Sequence, residues 1–218
     1  MAMTLDTQDL IAQETLQRLK DQIQKADPAT LRLILTSART QNAWQKRDVS
    51  DDTLKEIYQI VKMGPTSANS CPARFVFLKS RVARERLRPA LKSNNVEKTM
   101  TAPVTVIIAH DTAFWKHAET MFPQKPDAQL AFKNNPTGSE IVAFRNGSLQ
   151  GAYFIIAARA VGLDCGPMSG FDNTLVDEEF FSETTLRSNF LCNVGYGDVS
   201  NIVKQLPRFD FEQVCWIL

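Results

Sequence analysis

The sequence predicts one globular domain in which helices and a β-sheet share a core. Three short runs rich in β-branched and aromatic residues, at 74–79 (RFVFLK), 103–109 (PVTVIIA) and 190–194, read as buried strands. Between them lie longer segments whose apolar residues recur every three to four positions, the spacing of helices packed on one face. The 218 residues, 44% hydrophobic and 22% charged, are enough for a sizeable core, and one domain is the default at this length.

Taken in order, residues 6–25 carry Leu10, Ile11, Leu16, Leu19 and Ile23 at roughly helical spacing and predict an amphipathic helix that Asp27 and Pro28 interrupt. A second helix from about Ala29, with Leu31, Leu33, Ile34 and Leu35, runs into the polar segment 37–47 (SARTQNAWQKR). Ser50 is a candidate cap for a third helix, with Asp51 and Asp52 in its first turn, Leu54, Ile57, Tyr58 and Val61 on its apolar face, and Gly64 and Pro65 to stop it. After the first strand, 82–91 is a basic surface helix closed by Pro89 and by Asn94 and Asn95. Residues 111–138 form an irregular, aromatic-rich connection, either a lid or a pinned surface excursion. The longest helix, 139–161, is expected to be capped by Ser139 and buried almost all round, ending at Gly162. A short extended piece at 163–171, a helix capped by Asp172, the third strand and an apolar tail, PRFDFEQVCWIL, complete the chain. Such a tail needs a covering surface, and a partner subunit is one candidate.

Composition excludes several functions. With 25 basic and 24 acidic residues interleaved, a net charge of +1 gives no electrostatic case for nucleic acid or an anionic membrane. No stretch approaches the roughly 20 apolar residues of a spanning helix, and the first ten residues lack a secretory pattern, so a cytoplasmic protein is expected. Cys71, Cys165, Cys192 and Cys215 show no ligand spacing, and two histidines, His110 and His117, cannot build a metal cluster. No metal site is expected. Gly195 and Gly197 lack the third glycine of a dinucleotide fingerprint, and hydrolase motifs are absent.

The stretch 64–72, GPTSANSCP, sits between a punctuated helix and an apolar strand. It offers hydroxyls, an amide and free backbone N–H groups, as ligand loops do and as ordinary connections also do.

Several loops taken together resemble the nitroreductase family of FMN flavoproteins. Pro65, Thr66, Ser67 and Asn69 stand in the places of the family's P-S-S-x-N-x-Q-P loop; Arg39, Thr40 and Gln41 are similar to its N-terminal arginine segment. Asn95 and Lys98 match its Asn-x-x-Lys, residues 167–172 (PMSGFD) its P-x-x-G-F-D loop, and Arg208 its late arginine. The resemblance spans about 31–218, so residues 1–29 read as a helical extension before an FMN-binding domain at 30–218. Departures are the loss of a second basic residue near Ala43 and Trp44, Cys71 in place of glutamine and Ala73 in place of tryptophan.

The resemblance implies an α+β, three-layer fold with a mixed, mainly antiparallel sheet, and an obligate homodimer whose 65–72 loop reaches the other subunit's flavin. It implies FMN as cofactor and NADPH or NADH as reductant, with reductant and acceptor using one flavin face in turn. Arg39 and Arg208 would hold the phosphate, whose oxygens match the guanidinium fork. Lys98 would stabilise negative charge on reduced flavin, Asn95 would bond the isoalloxazine edge, and backbone at Pro167, Met168, Ser169 and Gly170 would reach N5 and O4. No side-chain nucleophile is then required. Segments such as FRNGSLQGAY and NVGYGD are most similar to the branch that reduces malonic semialdehyde to 3-hydroxypropanoate in pyrimidine degradation. A broad nitroaromatic or quinone reductase and a non-catalytic flavin carrier or sensor are the alternatives. For the carboxylate of a small aldehyde acid, Arg47, Arg74 and Arg145 are all candidates.

Overall fold

The computed structural model describes residues 7–23 and 25–218. Helix α1 spans Thr7–Gln22, close to the expected 6–25, of which positions 6 and 24 lie outside the described residues. None of its residues is buried. Helix α2, Pro28–Leu31, starts where the Asp27 carboxylate accepts the N–H groups of Ala29 and Thr30 at 2.8 and 3.0 Å, and it widens into a π turn at Arg32–Thr36. Helix α3, Asp51–Val61, is capped as expected: Ser50 Oγ accepts the Thr53 N–H at 3.0 Å, and Leu54, Ile57 and Val61 are buried.

Strand β1, Ala73–Leu78, leads to α4, Arg81–Leu87. Asn94 and Asn95, read from sequence as helix-closing residues, instead lie in the first turn of a further helix, α5, Ser93–Met100. Strand β2, Val104–Asp111, is buried along its whole length. The irregular connection folds into short helical pieces, including α6, Ala118–Met121, and α7, Asp127–Leu130. The longest helix, α8, Pro136–Ala160, begins earlier than expected and is capped by Asn135, whose Oδ1 accepts the Gly138 N–H at 2.9 Å. Pro136 fits the first turn because its missing N–H would have no intrahelical partner there. Ser139, the expected cap, instead donates its hydroxyl to the Thr112 carbonyl. Nor is α8 buried all round, since Ile141, Phe144 and Leu149 are exposed. Strand β3, Asp164–Met168, helix α9, Asn173–Phe181, capped by Asp172, strand β4, Leu186–Gly195, and α10, Phe211–Val214, complete the order.

The sheet order is β1-β2-β4-β3 with every strand pair antiparallel; the parallel contact among the described residues is the isolated bridge Thr40–Cys165. Alternation along β2 splits the core. Val104, Val106 and Ile108 pack with Ile57 and Phe154 from α3 and α8. Ile107 and Ala109 face the other way, against Leu87, Val176 and Phe181 from α4 and α9. Helices on both faces of one sheet give the three-layer α+β architecture. Truncating a fully buried residue such as Ile107 would cost roughly 2–5 kcal/mol. Among the described residues no helix is long and apolar enough to cross a membrane, and no group of His, Cys, Asp and Glu could hold a metal.

Candidate cofactor site

The sequence-predicted residues fall into two groups and one outlier. The first group gathers at the β3 edge. The Gln41 N–H donates to the Cys165 carbonyl at 2.9 Å, which, with the Thr40–Cys165 bridge, lays 39–41 alongside β3. Gly166 permits this approach, since a Cβ there would stand 2.5 Å from the Gln41 carbonyl oxygen. Asn42 Oδ1 accepts from Lys98 Nζ at 3.2 Å, and Trp44 Nε1 donates to the Lys98 carbonyl at 3.0 Å. Asn95 and Lys98 are three apart on α5, so they share a helix face. Asn95 Nδ2 donates to the Gly170 carbonyl at 2.7 Å, and the Lys92 N–H donates to the same oxygen at 3.0 Å. A Cβ on Gly170 would lie 2.4 Å from Asn95 Nδ2, so a side chain there would displace the Asn95 amide. Pro167 and Met168 end β3, Met168 Sδ accepting from Thr99 Oγ1 at 3.6 Å, and Ser169 is exposed beyond them.

Two polar groups in this cluster lack counterparts. Burial lowers the pKa of the Lys98 ammonium, and its hydrogen-bond partner is a neutral amide rather than a carboxylate. Gln41 is 5% exposed, yet its Oε1 has no donor among the described residues. A buried acceptor without a donor and a desolvated cation without an anion suit a polar ligand with N–H or O–H donors and negative charge. Arg39 lines an adjacent cavity of about 730 Å³ with Gln41, Arg32 and Arg159, and its guanidinium donates to the Val203 carbonyl at 2.6 Å.

The second group lies beyond the opposite edge of the sheet, in the loop before β1. Asn146 and Gln150 of α8 reach it: the Ser67 N–H donates to Asn146 Oδ1 and the Ala73 N–H to Gln150 Oε1, each at 2.9 Å. Tyr153 Oη donates to the Pro65 carbonyl at 3.0 Å. From the excursion, Gln129 Nε2 donates to the Ala68 carbonyl at 2.8 Å, while Asn69 Nδ2 donates to the Met121 carbonyl at 2.7 Å. Thr66 Oγ1 accepts the Cys71 N–H at 3.1 Å. These bonds hold three non-glycine residues, Ala68, Asn69 and Cys71, at φ of 48°, 50° and 39°, a left-handed conformation that needs such support.

The edges are three strand spacings apart, roughly 14 Å, and no bond links the two groups. The outlier is Arg208, which is exposed and donates to the Leu206 and Pro207 carbonyls, both at 3.0 Å. Residues that sequence reasoning did not single out include Asn42, Asn146 and Gln150. Their roles depend on partners 56, 79 and 77 positions away.

Residues 35–196 match the model of the Nitroreductase family, so the chain belongs to that family. Its fold is shared with solved bacterial proteins. One is ydfN of Bacillus subtilis, assigned as a nitroreductase (TM-score 0.79, 17% identity, covering 88% of this chain and 100% of that one). A protein of Exiguobacterium sibiricum 255-15, assigned to the nitroreductases and solved in complex with FMN, gives TM-score 0.77 at 17% identity, covering 89% and 99%. One of Staphylococcus epidermidis ATCC 12228, assigned as an NAD(P)H:FMN oxidoreductase, gives 0.77 at 18%, covering 89% and 98%.

Proposed function

We propose that the protein is an FMN-dependent oxidoreductase that accepts hydride from NADPH or NADH and reduces a small carbonyl compound. The observation that carries this reading is the cradle at the β3 edge, where Lys98 and Gln41 present unanswered charge and hydrogen-bonding capacity beside a close Asn95–Gly170 contact. Family membership and the FMN-bound and NAD(P)H-linked structures of the same fold support it.

When bound, FMN supplies hydride transfer through its N5 position. Every other element belongs to the chain. Lys98 contributes positive potential that favours charge on the reduced ring, and its partial burial lessens the screening by water. The Ser169 and Gly170 N–H groups orient the ring edge, Asn95 fixes the loop that carries them, and Arg39 and Arg208 take the phosphate. The loop residues Pro65, Thr66, Ser67 and Asn69 complete the site from a second copy, in a homodimer. Their separation from the cradle, the exposed Ile141 and Phe144 on α8 and the exposed Trp216 and Ile217 of the tail support that assembly. Reduced nicotinamide as donor accords with a cytoplasmic enzyme.

Malonic semialdehyde is the proposed acceptor, reduced to 3-hydroxypropanoate. Purified protein is expected to be yellow and to bleach anaerobically with NADPH or NADH. Colourless protein that takes up no FMN overturns the reading, and flavin that neither nicotinamide reduces leaves a carrier or sensor. Steady-state rates with malonic semialdehyde, a nitroaromatic and a quinone then identify the acceptor: equal slow rates with all three count against a dedicated aldehyde reductase.

A further inference from the structure

A cavity of about 700 Å³ opens between the end of α3, the 64–72 loop, β1, α6 and α8, away from the β3 edge. Its charged lining is entirely cationic or cation-capable: Lys62, Arg74 and His117, with no aspartate or glutamate. Ser70 also lines it; that side chain is 4% exposed and its Oγ has no hydrogen-bond partner. That hydroxyl is closed off from the cavity, so Ser70 contributes wall and not a contact. Tyr58, Phe75 and Phe77 supply an apolar wall.

Arg74 is fixed by an ion pair with Asp111 and by two carbonyls, and keeps part of its donor set uncommitted. Its Nη2 donates to Asp111 Oδ2 at 2.9 Å, and Nη1 donates to the Cys71 and Ala73 carbonyls at 3.1 and 2.9 Å. That commits three of the five N–H donors of a guanidinium. Asp111 is itself shared, accepting from Thr185 Oγ1 at 2.7 Å and the Ala113 N–H at 2.9 Å, so it fixes Arg74 without saturating it. The other two candidate arginines are elsewhere. Arg47 stacks 3.5 Å from the Tyr196 ring centroid, and Arg145 lies on the outer face of α8 with Glu140 and Phe144.

We propose that this cavity receives the carboxylate of the acceptor substrate, with Arg74 and Lys62 as its cationic contacts. The inference rests on the functional reading above and narrows it to acceptors that carry an acid group beside a short apolar body. The cavity wall at Asn69, Ser70 and Cys71 continues the loop proposed to meet the second copy's flavin.

The test compares malonic semialdehyde with uncharged propanal on the flavin-loaded protein, in the unmodified chain and in Lys62→Gln and Arg74→Lys. The KM for malonic semialdehyde is expected to rise about tenfold in Lys62→Gln and Arg74→Lys, as for a lost charge-assisted hydrogen bond. The KM for propanal and both kcat values should stay within about twofold. Equal effects on the acid and the neutral aldehyde, or none on either, overturn the assignment. Calorimetric titration with propanoate separates this from the redox reading, because it needs no turnover. Saturable binding that weakens in Lys62→Gln supports the pocket even if the flavin is never reduced; absence of saturable propanoate binding overturns it even if the flavin bleaches.

Discussion

Asn146 Oδ1, on a buried turn of α8, accepts the backbone N–H of Ser67 at 2.9 Å, while its Nδ2 donates to the Val142 carbonyl at 2.9 Å. One amide thus ties the longest described helix to the loop that holds Ala68, Asn69 and Cys71 at positive φ. Replacing Asn146 with alanine is expected to lower unfolding free energy by roughly 1–3 kcal/mol, the cost of unpaired buried groups. Urea unfolding measures the loss, and hydrogen exchange should show the Ser67 amide deprotected well before the β2 amides; unaltered exchange at Ser67 would refute the tie.

Gly170→Ala places a methyl group 2.4 Å from Asn95 Nδ2. That nitrogen is bonded to the Gly170 carbonyl, so the Asn95 amide must give up this bond or the loop 169–171 must shift. The expected outcome is folded protein with much reduced flavin content, read from the ratio of visible to ultraviolet absorbance. Full flavin content in the variant would mean that the loop does not contact the cofactor.

Lys98 gives a pH prediction whose sign follows from burial. Its folded-state pKa lies below 10.5, so the flavin-free folded chain binds fewer protons than the unfolded chain in the window between the two values. Stability of the flavin-free protein should therefore rise as pH climbs through the folded pKa, and the penalty should be fully present below it. Lys98→Met is expected to remove this dependence without destabilising the flavin-free fold, while weakening FMN retention. A variant that retains flavin as well as the unmodified protein would end the proposed role.

Arg208→Ala and Arg39→Ala are both expected to weaken FMN retention, measured by fluorescence of flavin released on gel filtration. Arg208 is the sharper case, because among the described residues its guanidinium donates to the nearby carbonyls of Leu206 and Pro207. Unchanged flavin content after its removal would refute a phosphate role.

Deleting residues 1–26 should leave the melting temperature of the domain nearly unchanged, since no residue of α1 is buried. Differential scanning calorimetry checks this. A drop of several degrees would show that α1 packs on a surface beyond its own chain.

The elements legible in the sequence are those with local causes. Ser50 and Asp172 cap helices as their side-chain chemistry requires, and the β-branched run of β2 is a strand because both its faces meet apolar layers. Helix α5 was illegible because Asn94-Asn95 carries a turn composition and its cap position, Lys92, makes no side-chain bond. Strand β4 starts at Leu186, earlier than its apolar run, because pairing with β2 across the irregularity at Ile108/Ala109 recruits Arg187 and Ser188. In the site, residue types and spacing pointed to Asn95, Lys98 and Gly170 through resemblance. The bonds that join them depend on segments brought together only by the sheet.

The distance between the cradle and the 64–72 loop has a further consequence. In the proposed dimer, a flavin held by the cradle of one copy and the 64–72 loop of the other would have an occupancy that obeys mass action in protein as well as in flavin. Dilution would release cofactor even at fixed free FMN, and added FMN would shift the monomer–dimer equilibrium toward assembly. The colour of the solution then reports the state of association.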